Sequence, residues 1–373
     1  MDLAYSDEQK LLAESAHGLL ATRAQRKDAS GLWQEMAGLG WLALPAPEEH
    51  GGLGQGAVDV GILAEAFGRH LVATPYIPCI VLCGGIVASA GSNEQKRAIL
   101  PSLSVGGATL ALAHAEQGAR HDLRHVGAGA TRDDGGWRLS GRKIAALGAG
   151  EADRLIVSAR IRGSLDDANG IGLFLVEPGQ AGVVLETYRT VDGASAARLT
   201  LNDVKLPADA LLGADENALA QIERGFDHAV AAWCAEVVGL MDAAAAATIE
   251  YVKIRVQFGK PLAANQALRH RIADMAVQCE EARAMALRAA LYAADDDAAQ
   301  RARAIAGAWA KISRGGRFVA EQAIQLHGGM GVTDELQIGA YLKRIVALDA
   351  IIGSPEHHLR QHAALSARLS RAD

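Results

Sequence analysis

Aromatic side chains are scarce in this 373-residue chain: five Phe, five Trp and six Tyr make up only 4% of it. Apolar residues still reach 50%, and Ala, Leu, Ile and Val dominate that share. Ala and Leu are strong helix formers, so a core built from them points to a mainly helical protein. An excess of basic charge is missing too. The 37 basic residues against 43 acidic ones give a formal net charge of −6, which argues against a general nucleic-acid surface. Cysteine is sparse, and Cys79, Cys83, Cys234 and Cys279 lack the spacing of a metal knuckle. Cys79 and Cys83 stand one helical turn apart, which suits a metal or a disulfide; buried apolar thiols in a reducing cytosol are the plainer reading. The twelve histidines form no zinc-type cluster, and His357, His358 and His362 read as surface or interface residues rather than ligands. No metal site is expected. Met1 to Lys10 carries three acids and no apolar run, so no signal peptide is expected and the protein reads as cytoplasmic.

One stretch, Leu71 to Ser92, has no charge over a length that would cross a membrane. Pro75, Pro78 and Gly84-Gly85 interrupt it, and a packed core helix is the better reading, so no membrane span is expected. The chain is long for one core. Residues 1–112 read as an N-terminal helical domain. Ser6-Asp7-Glu8-Gln9 opens a helix there, and Asn93 opens another that ends near Pro101. Residues 113–213 change rhythm: Asp133-Asp134-Gly135-Gly136 predicts a turn, and Trp137–Ser140, Asp153–Ala159 and Gly172–Val176 predict strands of a small antiparallel β domain. Residues 214–373 return to long Ala-rich periods, 229–256, 266–294, 298–328 and 336–348, which predict a C-terminal four-helix bundle. The fold class is α+β.

Gln325-Leu326-His327-Gly328-Gly329-Met330-Gly331 follows Arg255-Val256-Gln257-Phe258-Gly259-Lys260 by about seventy residues. Gly-Gly ends many helices. It also lets a ligand approach the backbone, because no Cβ intervenes, and a helix terminus there would offer N–H groups to a pyrophosphate. The ordered set Arg255, Phe258, Gln266, Gln325 and Gly328-Gly329 resembles the acyl-CoA dehydrogenase family of flavoenzymes. The likeness runs nearly end to end. It includes Leu32-Trp33-Gln34-Glu35, Gly40-Trp41-Leu42-Ala43 and Pro47 to Gly54 early in the chain, and Tyr251, His270 and Ala273-Asp274-Met275 late in it. The resemblance implies FAD as cofactor, with those six residues holding its adenosine and pyrophosphate and reaching into a neighbouring subunit's site. It also implies an acyl-CoA substrate and an electron-transfer flavoprotein as electron acceptor. Substrate and flavin would lie between the β domain and the C-terminal bundle.

The family's reaction removes an α-proton from a CoA thioester with a carboxylate base while a hydride leaves the β-carbon. Most members place that base before a Gly-Thr near the C-terminus, a slot that falls on Ile352, followed by Gly353-Ser354. A minority place it past a Phe-Asp pair on the first C-terminal helix, a slot that falls on Ala229 after Phe226-Asp227. Neither side chain accepts a proton. The Trp-x-Thr that lies against the flavin ring in relatives reads Ala145-Ala146-Leu147, and the arginine after the helical slot is Val230. The acid-glycine-serine stretch survives only partly, as Glu116-Gln117-Gly118-Ala119.

A chain that keeps the adenosine side and loses the ring side resembles small subunits of heteromeric bacterial acyl-CoA dehydrogenases acting on steroid side chains or dicarboxylic acids. Such a subunit would complete its partner's FAD site in a heterotetramer. If the chain is instead a catalytic homo-oligomer, Glu236 is the best base, seven residues after Ala229 and among apolar neighbours. Against this stands Glu236 as a structural carboxylate paired with an arginine or a backbone group. Asp349 and Glu356 are weaker candidates. A third reading is a non-redox acyl-CoA-binding scaffold.

Overall fold

The computed structural model describes residues 4–26, 31–133, 135–213, 216–333 and 335–370. Its contacts divide the chain into two compact units. One gathers Met1–Ala29, Ala57–Ala73 and Val230–Asp373; the other gathers Ser30–Gly56 and Thr74–Ala229.

The first unit is helical. α1 (Asp7–Arg26) starts on a reciprocal cap: the Gln9 amide N–H reaches Ser6 Oγ at 3.2 Å, and the Ser6 N–H reaches Gln9 Oε1 at 3.1 Å. α2 (Leu32–Gly38) belongs to the other unit, and α3 (Ala57–Arg69) returns to this one. α3 packs on the long helix α6 (Leu219–Ile254) through bare backbone. A Cβ on Gly68 would stand 1.9 Å from the Glu236 carbonyl oxygen, and one on Gly239 would stand 2.0 Å from that of Glu65. Each helix thus supplies a glycine where the other's backbone presses closest. Arg283 of α7 (Gln266–Ala293) clamps the crossing, donating to Glu65 at 2.9 Å and to Asp242. α7 and α8 (Ala298–His327) are antiparallel, tied by Lys311 Nζ to Gln278 Oε1 at 3.0 Å and Glu281 Oε2 at 2.5 Å.

α9 (Ile338–Ile352) and α10 (Pro355–Leu369) complete the unit. The chain therefore carries five long C-terminal helices among the described residues, not the four expected. α10 escapes the Ala-rich pattern because much of it is exposed, but Ser354 caps it and Pro355 begins it, a start signal that the sequence does contain. Trp309, fully buried, donates Nε1–H to the Gly353 carbonyl at 2.9 Å and pins the α9–α10 junction. His358 is buried there as well, its Nε2 at 3.1 Å from the Ile352 carbonyl, which corrects its reading as a surface residue.

The second unit wraps helices around a seven-stranded sheet. The uncharged run forms a wide π-type turn, Tyr76–Gly84, leading into α4 (Gly85–Ala90), nearly all of it buried as a core element. α5 (Asn93–Ser104) carries a full capping box at Ser92/Gln95 and runs three residues past Pro101, which sits inside the helix rather than ending it. The strands are β1 (Leu110–Ala113), β2 (Gly129–Asp133), β3 (Gly136–Leu147), β4 (Arg154–Arg160), β5 (Ile171–Val176), β6 (Val183–Arg189) and β7 (Ser195–Pro207). The predicted turn joins β2 to β3, with Asp134 outside the described residues.

The strand order is β1-β4-β2-β3-β7-β6, and β5 pairs with β4. Most pairs are antiparallel, but two are parallel: β1 with β4, from Leu110 opposite Arg154 to Ala113 opposite Val157, and β2 with β4 at Gly129 opposite Arg160. The purely antiparallel expectation is corrected here: the forty residues between β1 and β4 leave room for a crossover that two-residue turns do not allow. Trp137 and Phe174 meet edge-on, ring centroids 5.2 Å apart, within the sheet unit's buried cluster. All four cysteines are buried and free.

Gly68→Ala or Gly239→Ala should each cost about 1–3 kcal/mol of stability by overpacking the α3–α6 crossing. Urea denaturation would measure it, and unchanged midpoints would show that the helices separate at little cost.

Candidate functional site

α6 ends at Ile254, and Val256–Gln257 (β8) pairs with Lys260–Pro261 (β9). The turn between them is Phe258-Gly259, with φ of 54° and 78°. Two left-handed residues in a row suit a tight hairpin whose twist matches its strands. Glycine accepts that conformation freely; phenylalanine does not, so backbone strain is held at a ring that is 96% exposed. Arg255 is exposed as well, and its guanidinium has no hydrogen-bond or ion-pair partner among the described residues.

Tyr251, one turn back on α6, stacks on His327 with ring centroids 4.2 Å apart and sends its hydroxyl to the His327 carbonyl at 3.4 Å. That contact brings the hairpin to the end of α8. There Gln325 is exposed, and Gly328 (φ 61°) opens a short 3-10 turn, Gly328–Val332. A Cβ built on Gly328 or on Gly329 meets nothing within 4 Å, so the backbone faces open space. Gln266 begins α7, which runs antiparallel to α8, so it lies at the same end as Gln325. Arg255, Phe258, Gln266, Gln325, Gly328 and Gly329 therefore gather at one end of the helical unit. One detail of the expectation changes: the terminus at Gly328 is the C-terminal end of α8, where carbonyls are left over. N–H donors for an anion at Gly328 would come from the 3-10 turn that follows α8.

The donor set fits the adenosine and pyrophosphate half of FAD. An uncommitted guanidinium pairs with phosphate, two side-chain amides and bare glycine backbone offer hydrogen bonds, and an exposed aromatic ring stacks on a base.

The base slots are different. Ala229 is completely buried and Ile352 nearly so. Each carboxylate suggested in their place is held by an arginine. Glu236, buried on α6, accepts from Arg344 of α9 through both oxygens, Nε to Oε1 at 2.6 Å and Nη2 to Oε2 at 3.1 Å. Asp349, also on α9, accepts from Ser313 Oγ at 2.5 Å and Arg317 Nε at 2.6 Å. Burial raises its carboxyl above the ordinary range, against the pull of those two donors. Glu356 faces Arg314 at 3.1 Å. The reading of Glu236 as an arginine-paired structural carboxylate matches this geometry. Service as a base would require the bidentate pair to open first.

In the sheet unit, Ala145 has φ of 52° and sits at an irregularity in the β3–β7 pairing. Two residues before it, Lys143 is fully buried. Its Nζ donates to Glu116 Oε1 at 2.6 Å, Ser158 Oγ at 2.9 Å and the His114 carbonyl at 3.3 Å. Burial lowers this lysine to about 8, partly offset by Glu116, and pushes His114 down to about 3 with help from Lys143. Glu116 also accepts the Gly127 and Ala128 N–H groups at 2.8 and 2.9 Å. Sequence reasoning passed over this network, because its members are 15 to 29 residues apart and share no periodicity.

The sequence matches the acyl-CoA dehydrogenase N-terminal domain over residues 6–107, the middle domain over 111–204 and the C-terminal domain over 219–366. It is 31% identical over 339 residues to acyl-CoA dehydrogenase FadE12 of Mycobacterium tuberculosis, covering 89% of this chain and 86% of that one. Among solved structures it resembles a variant of the Tcur3481-Tcur3483 steroid ACAD, with a TM-score of 0.86, 30% identity and coverage of 98% and 99%. It also resembles a chain of the ChsE4-ChsE5 complex from Mycobacterium tuberculosis, with a TM-score of 0.87, 25% identity and coverage of 98% and 99%. The chain belongs to the acyl-CoA dehydrogenase family, flavin-dependent oxidoreductases that act on acyl-CoA.

Arg344→Ala should cost about 3 kcal/mol, because it strands a buried carboxylate. Denaturant titration tests this; a loss below about 1 kcal/mol would show that Glu236 readily finds another partner.

Proposed function

We propose that this chain is the subunit of a heteromeric acyl-CoA dehydrogenase that completes a partner subunit's FAD site and does not itself carry the catalytic base. The observation that carries this reading is the contrast within the chain. Its adenosine-side residues stand exposed and uncommitted, while both base slots are buried apolar side chains and Glu236, Asp349 and Glu356 are each engaged by an arginine.

The overall reaction is α,β-dehydrogenation of a CoA thioester. The α-proton goes to a carboxylate base, the β-hydrogen leaves as hydride, and the electrons pass on to an electron-transfer flavoprotein. FAD, when bound, accepts the hydride. In this reading Arg255 pairs with the pyrophosphate, Phe258 stacks on the adenosine, Gln266 and Gln325 fix its orientation, and Gly328-Gly329 leaves room for close approach. The base and the ring-binding residues come from the partner. A bulky acyl group such as a steroid side chain is the substrate class we favour, supported by the likeness to a structure described as a steroid ACAD.

Arg255→Ala, co-expressed with a wild-type partner subunit, should cut the flavin content of the complex at least severalfold while leaving its assembly intact. That would be a loss in trans, read from the visible spectrum at fixed protein concentration. Glu236→Gln in the same complex should leave turnover within about twofold. A collapse of α-proton exchange with the fold and flavin retained would instead identify Glu236 as the base and favour a homo-oligomeric enzyme. Absence of flavin from every assembly would favour an acyl-CoA-binding scaffold.

A further inference from the structure

The helical unit holds a second titratable pair, separate from the carboxylates and from the adenosine end. His17 lies on α1, and His70 immediately follows α3. Their rings face each other with Nδ1 of His17 3.2 Å from Nε2 of His70, centroids 5.4 Å apart. Both are partly buried. At that distance one ring donates its N–H to the lone pair of the other, so the contact fixes a tautomer on each and needs at least one neutral ring.

The charged groups around the pair are few. Arg69, beside His70, disfavours a proton on either ring; Glu65, one turn earlier on α3, favours one on His17. Arg69 is itself within 3.8 Å of Asp242 on α6. No carboxylate bonds to either imidazole among the described residues, so a second proton would set two cations against each other with Arg69 alongside.

We propose that His17 and His70 form an acid-sensitive clasp that docks the body of α1 on α3 at neutral pH and releases it when both rings are protonated. The first turn of α1 is secured independently by Gln9 Nε2 to Asp59 Oδ1 at 3.2 Å, so release is local to the later turns. Burial lowers both rings below the ordinary histidine value, reinforced by Arg69 and, for His70, by the facing ring.

A ring that titrates near 6.5 when undocked and lower when docked stabilises docking fully above 6.5, and this contribution is lost as pH falls below it. Between pH 7.5 and 5.5 the docked-to-open ratio should fall, by at most about 100-fold, the limit in which the docked pair takes up no proton over that range.

Hydrogen–deuterium exchange of the α1 amides at the two pH values, corrected for intrinsic exchange rates, reads this ratio. The wild-type chain should lose protection in α1 at pH 5.5 while α7 and α8 keep theirs. His17→Gln and His70→Gln, checked by circular dichroism at pH 7.5, should each reduce the acid loss to a few-fold or less. Equal α1 protection at both pH values in the wild type would overturn the clasp, as would the same acid loss in both variants. Histidine-selective NMR titration of the unmodified chain gives a test that needs no substitution: two rings titrating at or above 6.5 would also overturn it.

Discussion

A carboxylate among apolar helices is tolerated only where a cation meets it, and in the helical unit that cation is arginine. Glu236 and Arg344, Asp349 and Arg317, and Glu65 and Asp242 with Arg283 each tie one helix to another. Desolvating a lone carboxylate costs several kcal/mol, and a bidentate guanidinium offsets most of that while fixing geometry. Many of the buried positions on these helices are Ala or Gly, which offer little side-chain shape to set a register. These pairs supply it, and the close approach at Gly68 and Gly239 depends on that register being right.

The same chemistry separates structure from function. Among the described residues of this unit, the buried carboxylates Glu236 and Asp349 are each held by an arginine. Arg255 lies outside that economy: it is exposed and has no partner among the described residues, at the end of the unit where Phe258, Gln266, Gln325 and the Gly328-Gly329 backbone also face outward. Solvent-facing cations and a strained, exposed aromatic ring are poor choices for stability. They are good ones for a surface that meets a nucleotide.

Much of the fold was legible in the sequence. The change to β-branched runs near residue 113 falls a few residues after the sheet begins at Leu110, and helical periods return near 214, after it ends at Pro207. Three things were not. The parallel β1–β4 pairing needs a long crossover that no local pattern announces. α10 is too exposed for apolar periodicity, although Ser354-Pro355 signals its start. Pro101 reads locally as a stop, yet α5 runs on past it to Ser104, with Leu103 and Ser104 buried. At the site, the order of Arg255, Phe258, Gln266, Gln325 and Gly328-Gly329 along the chain carries the resemblance, and the fold gathers these residues at one end of the helical unit. The arginine partner of Glu236 lies 108 residues away, and only the folded chain brings the two together.

The central claim is that this chain contributes to a flavin site without owning a complete one, and counting flavins per assembly tests it most directly. Native mass spectrometry of the chain purified alone, and again with a related subunit co-expressed, gives that count. Little or no FAD on the chain alone, and one FAD per pair of chains in a heterotetramer, is the expected result. An active homotetramer of this chain with one FAD in every subunit would contradict it.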